Sequence, residues 1–268
     1  MEKVLEINVA ANSLWAIAVI KGQICSFYSW VGKGDLAYKT SGEAVSIAEE
    51  SGDIFSKAIA YGSHGFSCYF KGFLKEAEEH LLKGADFAER INAFVLVASS
   101  NRVLGEVCFG RAEYQKAQEF WQKALSFAER ASNRFQIRFF SVALAKAKVM
   151  SGEKDINLNE IFKCYQENRT KVFEGYMARY IGEILLNIDD RHMNEAEEWM
   201  KKAIEADKRN GTMFELGRAH ASYAELLKRK GDMPGAKENL KKVIEIYREC
   251  GADGRLKEAE EALAEVGE

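Results

Sequence analysis

Proline is almost missing from this sequence: Pro234 is the only one in 268 residues. Prolines punctuate loops and break helices, so a chain nearly without them suits short helix–helix connections. Cysteines are few and odd in number. Cys25, Cys68, Cys108, Cys164 and Cys250 lie far apart, which fits neither a disulfide framework nor the ligand spacing of a zinc site. That usage suits a reducing compartment. Charge of one sign is also lacking. Lys and Arg number 38 against 41 Asp and Glu, and no basic stripe of the kind nucleic acid requires is visible. Long apolar runs are absent too: Asn12 and Ser13 interrupt the stretch 9–20, which is too short to cross a bilayer. Glu2 and Glu6 stand where an export signal carries positive charge. The expectation is a cytoplasmic protein with no membrane and no nucleic-acid partner.

What is present is enough apolar residue for a core, 47% of the chain with 29% charged, and an internal repeat. The segment 72–90, GFLKEAEEHLLKGADFAER, is echoed at 112–130 by AEYQKAQEFWQKALSFAER. Small residues fall at the same offsets in both, and Phe-Ala-Glu-Arg closes both. Stepping by about 40 residues gives Ala37, Ala77, Ala117, Asn157, Ala196 and Ala236 at one position. A second series has residues that cap helix N-termini: Ser13, Asp53, Asn92, Asn133, Thr170, Thr212 and Asp253. A third series is small and falls inside the first helix of each unit: Cys25, Gly65, Gly105, Ala145, Gly182 and Ala224. Glycine in a helix interior costs about 1 kcal/mol relative to alanine, so its recurrence implies close packing against the second helix.

Leu104-Gly105, Ala112-Glu-Tyr-Gln-Lys-Ala117 and Ala124, with their counterparts, resemble the tetratricopeptide repeat pattern. The usual unit is about 34 residues; a 40-residue unit makes each helix roughly one turn longer. The variety resembled is the C-terminal repeat region of bacterial multidomain signalling proteins, cyclases or ATPase-type transcription activators. The resemblance implies an all-α, right-handed superhelical solenoid of about six helix–turn–helix repeats plus a C-terminal capping helix. The expected repeats are 13–52, 53–91, 92–132, 133–169, 170–211 and 212–252, in one solenoid over 1–268. Two departures stand out: the proline that commonly ends each repeat is absent, and the pattern is imperfect over 157–193. Val4 and Ile7 match Ala44 and Ile47, so 1–12 reads as the remnant second helix of a preceding repeat, with an N-terminal capping helix as the alternative. The stretch 253–268 reads as the capping helix, with Leu256, Ala259, Leu263 and Val266 facing inward.

Chemistry is hard to find. No strand precedes a glycine cluster, and nothing resembles a phosphate-binding loop. His64 and Cys68, four apart, make only half of a metal site, which needs three or four convergent ligands. No catalytic residue, metal or cofactor is expected, and the chain reads as a protein-interaction scaffold and not an enzyme. The family builds its concave wall from the first helix of each repeat. Carried onto this sequence, the wall comprises Trp30, Phe66, Tyr69, Phe70, Arg102, Glu106, Phe109, Phe139, Tyr176, Arg179 and Glu183. Arg102 and Arg179 occupy equivalent positions two repeats apart. An aromatic wall with spaced arginines suits a protein or peptide partner bearing carboxylates; the alternative is that the aromatics are core between repeats. The carboxylate clamp of chaperone adaptors is not implied, because Gly22 and Gly62 stand near the places where it needs lysine and asparagine. An effector-sensing regulatory domain and a homo-oligomerisation module remain open as other readings.

Overall fold

A computed structural model describes residues 2–267, with side chains for 3–266, and contains fourteen α-helices and no strand among the described residues. The chain forms two compact units. One runs through Ser29 and resumes over Lys33–Asn133; the other takes Trp30–Gly32 and everything from Arg134 onward. The first carries α1 (Glu2–Ala10), α2 (Leu14–Trp30), α3 (Gly34–Ser51), α4 (Ile54–Lys71), α5 (Leu74–Arg90), α6 (Phe94–Gly110) and α7 (Tyr114–Arg130). The second carries α8 (Arg134–Met150), α9 (Leu158–Gln166), α10 (Glu174–Ile188), α11 (Met193–Asn210), α12 (Met213–Arg229), α13 (Met233–Glu249) and α14 (Asp253–Gly267).

The turns explain the regularity. Asn12, Gly32, Gly52, Gly72, Asn92, Ala112, Ser132 and Gly152 all have positive φ, one every twenty residues, and the series resumes at Gly211, Gly231 and Gly251. Each ends a helix in the left-handed conformation, and the following residue usually folds its N–H back onto the last turn. Phe73 N–H donates to Cys68 O at 2.9 Å, and Glu113 N–H donates to Cys108 O at 2.9 Å. These bonds satisfy carbonyls that the helix end would otherwise leave unpaired. The true period is therefore one helix and one turn, used twice per repeat. Asn92 fits this series and not the one expected for it: its φ of 56° places it at the end of α5, and Ala93 stands at the N-cap of α6. Asp53 does cap α4, accepting from Ser56 N–H. The stretch expected to be irregular carries the nine-residue α9 and two single 3₁₀ turns, Lys171–Phe173 and Asp190–His192.

Second helices bury one stripe. On α5 it is Ala77, Leu81, Gly84, Ala85 and Ala88, at helical spacing, with the charged residues outward. First helices are enclosed on more sides; eleven residues of α6 are buried, including Asn101, Arg102 and Glu106. The small residues of the first helices face the second helices. A Cβ on Gly65 would lie 2.6 Å from Leu81 Cγ and 2.9 Å from the Leu81 backbone N. On α14, Ala259 and Val266 are buried, Leu256 and Leu263 are half-buried, and Lys257, Glu258, Glu260, Glu261 and Glu265 are exposed.

Candidate functional site

Most of the buried charged residues lie on the first helices. In the second unit, α8, α10 and α12 each contribute to one buried cluster. Arg179 on α10, only 1% exposed, donates from Nη1 to Glu183 Oε1 at 2.8 Å and from Nη2 to Glu215 Oε2 at 2.9 Å. Lys146 on α8, 2% exposed, holds Glu183 Oε2 at 2.6 Å. Ser222 donates its hydroxyl to Glu183 Oε1 at 2.5 Å. Arg218 lies 3.7 Å from Glu215 Oε1 and donates to the Tyr176 hydroxyl at 3.2 Å. The Arg179 guanidinium lies 4.8 Å from the centroids of both Tyr176 and Tyr180, so aromatic faces shield it from water.

Burial alone would raise the Glu183 pKa, but the Lys146 and Arg179 charges outweigh it and hold the carboxyl well below the usual range. Burial and Arg218 oppose the Arg179 charge, and Glu183 and Glu215 overcome them, raising its pKa. Lys146, Arg179 and Arg218 face Glu183 and Glu215. Asp207 on α11 lies nearby. Burial, then the Glu215 charge, push its pKa up to about 7, although Thr212 donates to Oδ1 at 2.7 Å. Its Oδ2 is buried with no hydrogen-bond partner among the described residues.

A carboxyl whose folded pKa is raised contributes stability that is full below its unfolded pKa and is lost as pH rises through the folded value. For Asp207 the window runs from about pH 4 to about 7. Unfolding free energy should fall across that range, and Asp207→Asn should flatten the fall. Urea titrations at several pH values from about 5 to about 8 measure it, and equal slopes in both proteins would refute it.

In the first unit the arrangement is sparser. Arg102 on α6 lies with its guanidinium 5.4 Å from the Phe66 centroid, and its Nη1 has no hydrogen-bond partner among the described residues. Tyr69 donates its hydroxyl to Glu106 at 3.2 Å. Phe66 and Phe70 meet edge to face at 4.6 Å, and Phe109 packs 5.9 Å from the fully buried Trp121.

The eleven residues named from the sequence for the wall divide between the units. Phe66, Tyr69, Phe70, Arg102, Glu106 and Phe109 gather in the first unit, and Phe139, Tyr176, Arg179 and Glu183 in the second. Trp30 is half-buried at the end of α2. Except for Trp30, Phe109 and Glu183, they are buried. Sequence reasoning left out Lys146, Glu215, Arg218 and Ser222. One signal was available: Glu106, Lys146 and Glu183 share a repeat position, and a charge there in three successive units marks an inward polar row. A cleft of about 190 Å³ between α12, α13 and α14, lined by Leu240, Tyr247 and Arg255 among others, falls below the usual ~300–1,000 Å³ of a small-molecule site.

No family model and no curated protein matches the chain. Solved structures do. The apo form of RapI is similar over 91% of this chain and 95% of its own, with TM-score 0.67 and 14% identity. The Rap conjugation gene regulator of plasmid pLS20, solved with the Phr* peptide, is similar over 95% of this chain and 75% of its own, with TM-score 0.62 and 13% identity. A signal-transduction ATPase from Pyrococcus horikoshii with a tetratricopeptide repeat sensor matches 86% of this chain and 36% of its own, with TM-score 0.52 and 16% identity. The fold is of the tetratricopeptide type. Most of its helices need no proline at their ends, because a left-handed residue stops them instead; α9 and α10 are exceptions. No helix among the described residues is long and apolar enough to cross a membrane.

Proposed function

We propose that this chain is a non-catalytic scaffold that holds a peptide or protein segment bearing carboxylates on the first helices of its first unit, with Arg102 as the recognition group. The observation that carries the reading is a pair of buried arginines in the same local sequence. Arg102-Val-Leu-Gly105-Glu106 and Arg179-Tyr-Ile-Gly182-Glu183 occupy equivalent helix positions. Each has a guanidinium nitrogen without a hydrogen-bond partner among the described residues, Nη1 in Arg102 and Nε in Arg179. A buried unpaired donor costs free energy that an incoming acceptor recovers. Arginine is also the side chain suited to planar recognition of a carboxylate. The Rap regulator of pLS20 was solved with a peptide, and another Rap protein was solved with competence and sporulation factor, which makes a peptide the first ligand class to test.

Fluorescence polarisation of the full chain against a pool of labelled acidic peptides tests this, with a matched pool whose Asp and Glu are replaced by Asn and Gln. The acidic pool should bind, and the amide pool should bind about tenfold or more weakly. Arg102→Gln should lose a similar factor while keeping the helical circular dichroism. Equal binding of the two pools, or unchanged affinity in Arg102→Gln, would overturn the assignment. Arg102 is the residue of choice because Arg179 also holds the second unit together.

A further inference from the structure

We propose that His64, Glu76 and His80 form a binding site for a divalent transition metal of the zinc class, seated between α4 and α5. This site is separate from the arginines above and does not depend on the peptide reading.

The three ligand atoms, one from each residue, lie within 4.8 Å of one another. His64 Nε2 is 3.4 Å from Glu76 Oε1, and His80 Nε2 is 4.0 Å from the same oxygen. A tetrahedral ion with bonds near 2.0–2.1 Å separates its ligand atoms by about 3.3 Å. The first edge already matches, and a small rotation of the half-buried His80 closes the second.

Proton positions around His64 strengthen the case. The Ser41 hydroxyl donates its one proton to Tyr38 O at 3.0 Å. Its oxygen, 2.9 Å from His64 Nδ1, is thereby left to accept the ring N–H. In the tautomer that donates from Nδ1 to this oxygen, the Nε2 lone pair faces the Glu76 carboxylate at 3.4 Å and is available to a metal. The arrangement of a ligating imidazole with its other nitrogen on an oxygen is the usual outer support of a metal site. The Tyr38 hydroxyl donates to Glu76 Oε1 at 2.9 Å and holds the carboxylate in place.

Cys68 lies one helical turn beyond His64. Two imidazoles, one carboxylate and a nearby thiol are a borderline donor set, which selects zinc over magnesium or calcium.

Calorimetric titration of the metal-stripped full chain with zinc chloride alone should show one saturable site per chain. Cobalt(II) in its place should give the intense visible absorption of a tetrahedral ion. His80→Gln should weaken zinc by more than about tenfold, as should Glu76→Gln, and Ser41→Ala, a positioning change, by about tenfold. His192→Gln, which removes the half-exposed His192–Glu195 pair, should leave binding unchanged. Circular dichroism checks each variant for folding, and Glu76→Gln decides the matter if His80→Gln loses helix. Absence of saturable binding, binding unaffected by both His80→Gln and Glu76→Gln, or binding lost in His192→Gln would overturn the site.

Discussion

Glu183→Gln is expected to destabilise the second unit by about 3–5 kcal/mol, the usual result of removing one partner from a buried ion pair. The change keeps the shape of the side chain and removes only its charge. Lys146 then has no carboxylate at 2.6 Å, and Arg179 keeps only Glu215. Both cations are almost fully enclosed, so water cannot replace what is lost. Glu183→Gln combined with Lys146→Met should recover much of the loss, because an apolar residue of similar length needs no counter-charge. Chemical denaturation followed by circular dichroism reads both values, and a purely additive double variant would refute the coupling. The pH behaviour separates this group from Asp207. A carboxyl with a depressed pKa contributes stability above its unfolded pKa and loses it as pH falls through the folded one. Glu183 therefore acts below about pH 4, whereas Asp207 acts between about 4 and 7.

Trp121→Ala is expected to cost the first unit about 3–5 kcal/mol. The indole is fully buried on α7, and its Nε1 donates to Arg102 O at 3.1 Å. It lies in a slot made by the missing side chain of Gly105, where a Cβ would stand 2.6 Å from the indole nitrogen. Gly105→Ala alone should also destabilise, by roughly 1–3 kcal/mol of overpacking. In the Trp121→Ala background the same substitution should be close to neutral or stabilising, since the slot is then vacant and a helical alanine is favoured by about 1 kcal/mol. Additive effects of the two would mean that the indole and the glycine are not the two halves of one contact. Because the Trp121 bond ends on Arg102, Trp121→Phe also tests whether the guanidinium depends on its support: acidic-peptide affinity should drop with little loss of helix.

Much of the fold can be read in the sequence because its signals are local. Helix length, the apolar stripe of α5 and the small residues of the first helices are properties of one segment repeated at a fixed interval. The turn period was legible only in part. Glycine marks Gly32, Gly52 and Gly72, but Asn92, Ala112 and Ser132 take the same left-handed conformation without it. A non-glycine residue does so at a cost of roughly 1–2 kcal/mol, so residue type alone assigns such positions to other roles, as it did for Asn92.

The sequence by itself determined the class of this protein: helical repeats at a period of about 40 residues, with arginines at Arg102 and Arg179 in equivalent positions. Tertiary structure decided what those side chains meet. Lys146, Glu183 and Glu215 come from three helices, and their partnership depends on how consecutive first helices pack. Tertiary structure also joined His64 to Glu76 and His80 across a hairpin, where the sequence offered only His64 and Cys68 on one helix. The physical reason is reach. Hydrogen bonds of helices and turns span four or five residues and leave a pattern in the chain. The pairs that join different helices form between residues about a dozen to about forty apart, and only the packed fold sets their distances.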